Sequence, residues 1–171
     1  MIRSFRRTGA LGACTVAVLA LGTVAPAQAS ADTGNGNGFE FTLYAKEVQG
    51  MTASQSAQAP KLGDSFAFAD DLYKTKDVNG DKVGRDGASC VVVRPGNPMD
   101  LQCTGTVVLN GGPGGQLALQ ALTSVNPNDQ APPAADIAVT GGTGDFKNAR
   151  GWVRSTPDGD WSRMEFHIAT R

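Results

Sequence analysis

From Phe39 onward, apolar side chains recur at every second position and almost nowhere at the spacing of a helix face. Phe39, Phe41, Leu43 and Ala45 share one face of a first predicted strand, and Phe66, Phe68 and Leu72 one face of a second. Further strands are predicted around 91–93 and 101–109, then over 116–122, 136–139, 151–155 and 161–169. Turn-forming residues separate them at Asn79-Gly80, Pro95 to Pro98, Gly111 to Gly115, Asn126 to Pro133, Gly141 to Gly144 and Asp158-Gly159. About eight short strands joined mostly by tight turns specify an all-β fold, either an antiparallel sandwich or a closed barrel. The 22 glycines favour an eight-stranded antiparallel β-barrel, in which they relieve sharp strand bends.

The first 38 residues carry none of this alternation. Arg3, Arg6 and Arg7 precede an apolar run, Leu11 to Leu21, that is too short to cross a bilayer. Ala27-Gln28-Ala29 then supplies a small-x-small cleavage signal, so residues 1–29 read as a signal peptide cut after Ala29. Ser30 to Gly38 reads as a flexible leader, and 39–171 as one barrel domain. A retained membrane anchor is the alternative, and the length of the apolar run argues against it. A secreted product with no membrane association after cleavage is expected.

Charge narrows the partners. The chain holds 15 Lys and Arg against 16 Asp and Glu, and loss of the three leading arginines makes it more acidic still. That is the wrong sign for binding a phosphate backbone, so nucleic acid is excluded. Of three cysteines, Cys14 leaves with the signal, and Cys90 and Cys103 remain as an even pair in an oxidising compartment. Folding the segment between them about Gly96 and Asn97 sets the two directly opposite each other, so a Cys90–Cys103 disulfide is expected. Two thiols binding a metal is the weaker alternative, since no Cys-x-x-Cys or second His accompanies them.

Alternation also carries acids to the apolar face. Stepping by twos from Phe39 brings Glu47 and then Gln49 onto that face, and the same step from Phe66 and Phe68 brings Asp70. These groups are either inside the barrel or solvated at its rim. Inside, burial raises a carboxylate's pKa and makes it a candidate for acid–base or electrostatic work. Leu101, Cys103, Val107 and Leu109 share a face by the same count, which puts the disulfide in or beside the interior.

Other motifs lack their context. Gly141 to Gly144 has no third glycine or following helix for a dinucleotide, and Asn110 to Gly115 has no nucleophile elbow to serve. Asp77 to Asp81 has calcium-loop residue types, but Gly80 is misplaced and no Glu closes the loop, so a hairpin turn is expected. The single His, His167, falls on the outward face with Arg163 and Glu165, away from Met164, Phe166 and Ile168. No cofactor is expected.

The string Thr140-Gly-Gly-Thr-Gly-Asp-Phe-Lys-Asn-Ala-Arg-Gly151 resembles a signature shared by dirigent proteins and, more loosely, by allene oxide cyclases. Gly63 to Tyr73, Val83-Gly84, Gly87 to Val93 and Gly115 to Gln120 agree with those families in order. The resemblance implies an eight-stranded antiparallel barrel of lipocalin-like topology with an apolar cavity, commonly a homotrimer. In the cyclase branch, Glu47-Val48-Gln49 is similar to a segment bearing a buried glutamate and, two residues on, an asparagine. Asp70 falls on a second family asparagine and Cys90 on a cavity cysteine, while Thr123 stands where the family has a tyrosine. The water-holding proline has only Pro60 as a loose counterpart, and the dirigent arginine before Asp136 is Ala135.

On this reading Glu47 and Asp70 are the catalytic candidates. Gln49, Phe66, Phe68, Cys90, Cys103, Leu119 and Thr123 are the candidate lining for a small hydrophobic molecule. The expected function is a cyclase or isomerase that holds a reactive intermediate in one conformation, with Glu47 as a buried charge. The alternative is a non-catalytic, dirigent-like carrier. A third reading is a structural protein whose core is filled by Phe66, Phe68, Met164 and Phe166.

Overall fold

The computed structural model describes residues 38–49, 59–129 and 132–170. The expected signal peptide and all of the leader but Gly38 lie outside the described residues. Eight strands follow one another: β1 (Gly38–Gln49), β2 (Ser65–Tyr73), β3 (Lys82–Arg94), β4 (Met99–Leu109), β5 (Gly115–Val125), β6 (Ala135–Gly142), β7 (Arg150–Asp158) and β8 (Trp161–Ala169). Each pairs antiparallel with the next, and β1 with β8, so the sheet closes in sequence order. Among the described residues, helix is confined to one 3-10 turn at Gly144–Phe146.

The alternation read from the sequence selects the inner wall. Leu43, Leu72, Val92, Val107, Leu117, Val139, Val153 and Phe166 point inward and are buried. β8 keeps its predicted bounds and β4 its predicted end, while other strands run longer, most of all β3, which starts at Lys82 although only 91–93 were expected. The Asp77–Asp81 segment is the expected turn: the Gly80 N–H donates to the Asp77 carbonyl at 3.1 Å, and the Asn79 N–H to Asp77 Oδ1 at 2.9 Å.

Strand pairing is staggered around the barrel. From Phe39 the paired residues run through Ile168, Gly151, Val139, Leu119, Gly105 and Ala88 to Phe68, which lies next to Ala69, the partner of Gln49 at the far end of β1. This shear tilts the strands and leaves their ends at different heights. Accordingly β1 pairs with β8 only up to Ala45, and with β2 only from Tyr44 onward.

One end of the barrel is corked. The 3-10 turn between β6 and β7 drives Phe146 fully inside, edge-on to Phe39 with ring centroids 5.3 Å apart. Asp145 ties the turn to the β4–β5 loop. Its backbone N–H donates to the Gly114 carbonyl, and its carboxylate accepts from the Gly114 N–H, each at 2.9 Å. Gly151 completes the corner at φ +140°, where an added Cβ would collide with the His167 carbonyl. The string that resembles a family signature therefore builds this corner rather than a reactive site.

Candidate functional site

Cross-strand pairing sets three carboxyl groups side by side. Glu47 is opposite Asp70, Asp70 opposite Asp86, and Asp86 opposite the buried Val107. Opposed residues in antiparallel strands share a face, so all three acids belong to the inner wall. Asp70 and Asp86 are half-buried, and Glu47 is exposed.

The two aspartates do not titrate alike. Burial pushes the Asp86 carboxyl up to about 8, and the neighbouring Asp70 charge adds to the rise. Asp70 is raised as well, first by burial and then by the charges of Glu47 and Asp71, while a hydrogen bond from the Asp86 side chain opposes the rise. At neutral pH Asp86 is mainly the protonated member and donates to Asp70. Asp86 Oδ1 is buried with no hydrogen-bond partner among the described residues, a cost that the protonated form of the carboxyl lessens.

The expectation that Glu47 is a buried charge does not hold. It lies two residues beyond Ala45, the last β1 residue paired with β8, and the pairing with β2 shifts register between Glu47 and Gln49. With one flank open and the strand ending, its carboxylate reaches solvent at the mouth. Gln49 is opposite Ala69 as the last residue of β1, and its side chain lies outside the described residues.

The remaining candidates divide. Phe66 and Phe68 are half-buried and pack on a cluster of Cys90, Val92, Met99 and Leu101. Thr123 is opposite Leu101 and half-buried. Leu119 belongs to the packed core instead, with Val139, Val153 and Phe166. Cys90 and Cys103 form the expected disulfide across directly opposed residues, Cα atoms 4.0 Å apart, so neither offers a free thiol. Met164 and Phe166 fill the corked half. Toward the other end the inward positions combine the Cys90, Val92, Met99 and Leu101 cluster with small side chains, and Ala88, Gly105, Ala121, Ala135, Ser155 and Ser162 there are half-buried.

Asp86 was not singled out in the sequence, although stepping back by twos from Val92 through Cys90 and Ala88 reaches it. The Lys82-Val-Gly-Arg-Asp-Gly87 stretch is polar and glycine-containing, and reads as a turn until its pairing with β2 is known. His167 faces outward as expected. Trp152 covers it at a centroid distance of 3.9 Å, and Nδ1 lies 2.8 Å from Glu40 Oε2.

The family model for dirigent-like proteins matches residues 31–169. This chain belongs to the dirigent-like family. No curated protein matches it. Among solved structures it is similar to a pyocyanin demethylase, with 23% identity, TM-score 0.58, and coverage of 75% of this chain and 99% of that one. It is also similar to two pterocarpan synthase dirigent proteins, at 20% and 17% identity and TM-score 0.56 each. Those alignments cover 77% of this dirigent-like chain and 82% and 92% of the two synthases. At such identities the likeness establishes the barrel, not its chemistry.

Proposed function

We propose that this dirigent-like barrel binds a small, predominantly apolar molecule at its acid-lined end and isomerises or cyclises it. The observation that carries this reading is the Glu47–Asp70–Asp86 row on the inner wall, in which a carboxyl that keeps its proton to about pH 8 is hydrogen-bonded to a neighbouring one. Carboxyls whose environments separate their protonation states are suited to divide acid and base work. Asp70 would take a proton from a ligand carbon next to an oxygen-bearing one, while the single Asp86 O–H stays directed at Asp70 and holds that carboxylate in place. Return of the proton to a second carbon completes a redox-neutral isomerisation. Glu47, at the mouth, would stabilise developing positive charge. Similar barrels serve a demethylase and two synthases, which supports chemistry in such a barrel.

Native mass spectrometry of the purified protein identifies any retained small molecule, which then serves as the assay substrate. Turnover that falls about 100-fold or more in a folded Asp70→Asn variant supports proton transfer. Turnover unchanged in that variant overturns it. The second reading, a carrier without catalysis, rests on the half-buried small residues of that end and is favoured if the ligand leaves chemically unchanged. The disulfide supports the expected export to an oxidising compartment. Assembly as a homotrimer is proposed with support from outward-facing Val91, Val93 and Leu122, all exposed. A monomer mass by light scattering would remove it.

A further inference from the structure

A cleft of about 460 Å³ lies away from the acid row. It exists because of the stagger. β2 ends at Tyr73, opposite Tyr44, so the first residues of β1 have β8 on one side and no strand on the other. Into this notch face Lys74, the start of β3 and the β4–β5 loop. Phe41, Leu43, Val83, Leu109 and Pro113 provide an apolar wall. In an antiparallel strand, alternate residues direct N–H and C=O to each side, so the unpaired stretch of β1 presents backbone donors to the notch.

We propose that this notch binds an apolar monocarboxylate, its hydrocarbon body against the apolar wall and its carboxylate toward Lys74. Among the described residues of the lining, Lys74 is the only charged one, and no carboxylate there opposes an incoming anion. The backbone N–H groups of β1 and the Asn110 side-chain amide are further donors of the kind a carboxylate accepts. The cleft volume is in the range that holds small-molecule ligands. Lys74 is partly engaged already, with Nζ 3.4 Å from the exposed Asp81 Oδ2. An exposed pair of that length is weak and salt-screened, so a bound carboxylate can displace it.

The test uses decanoate and its uncharged analogue decanol, titrated below micelle formation by calorimetry. Decanoate is expected to bind more tightly than decanol. Lys74→Gln should weaken decanoate about two- to fivefold, the range of an exposed ion pair, and leave decanol unaffected. Asp81→Asn, which removes the competing anion, should tighten decanoate by a similar factor. Asp70→Asn, at the acid row, should leave decanoate binding as it was, which separates this site from the proposed reaction. Absence of decanoate binding, or equal affinity in the Lys74 and Asp81 variants, overturns the proposal. So do amide chemical-shift changes on binding that fall at Asp70 and Asp86 rather than at Thr42, Gly111 and Gly112.

Discussion

The two ends of the barrel are built from the same alternating strands and differ in what the inward positions carry. At the corked end, Leu72, Leu117, Phe146, Val153 and Phe166 are completely or almost completely buried and pack on one another. At the acid end a smaller buried cluster of Cys90, Val92, Met99 and Leu101 shares the inner face with small side chains and with acids. The period-two pattern is indifferent to this distinction, since it reports only which side faces in. What separates the two ends is the charge carried by that inner face: one is packed with apolar side chains around Phe146, and the other sets Asp70 and Asp86 among them.

Replacing the cork tests that contrast most severely. Phe146→Ala removes a fully buried ring, and it should lower unfolding free energy by about 3–5 kcal/mol in urea titrations. An unchanged midpoint would mean that the corner is dispensable. Opening the disulfide by Cys90→Ser with Cys103→Ser should cost about 3 kcal/mol, from the 13-residue separation it closes. Phe68→Ala, on the half-buried wall of the acid end, should cost clearly less than Phe146→Ala, about 1–2 kcal/mol. Equal losses at Phe68 and Phe146 would erase the distinction between the ends.

The acid row should respond in the opposite sense. Asp86 holds its proton to about pH 8 when folded, against an ordinary value of 3.8. The folded state therefore binds more protons between those limits, and the stability associated with this group is lost as pH rises through that window. Asp86→Asn keeps a donor and cannot ionise. It should raise stability at pH 8 by about 1–3 kcal/mol and flatten the decline between pH 4 and 8. A variant that is no more stable than the parent at pH 8, with the same pH slope, would place Asp86 in water. Smallest of all, Glu40→Gln on the outer wall should change stability by less than about 1 kcal/mol, because its bond to His167 is partly solvated.

Much of this was legible in the chain. Alternation is local, so the eight strands, the inward side of Asp70, the outward side of His167 and the Cys90–Cys103 pairing follow from counting by twos. Features set by register were not legible. Glu47 is solvated because β8 begins at Trp161 and leaves one flank uncovered, a relation between residues far apart in sequence. The notch beside Lys74 depends likewise on where β2 stops relative to β1. Asp86 was hidden for a different reason, since a strand that opens with Lys, Gly, Arg and Asp has little local β preference and is held by neighbours on both sides.

The corner formed by Gly142, Phe146 and Gly151 has a wider consequence. Its contacts join Phe146 to Phe39 and Asp145 to Gly114 and do not reach the acids of the opposite rim. The base of the vessel and the chemistry of its lip are therefore separable, and either can be altered while the other stands.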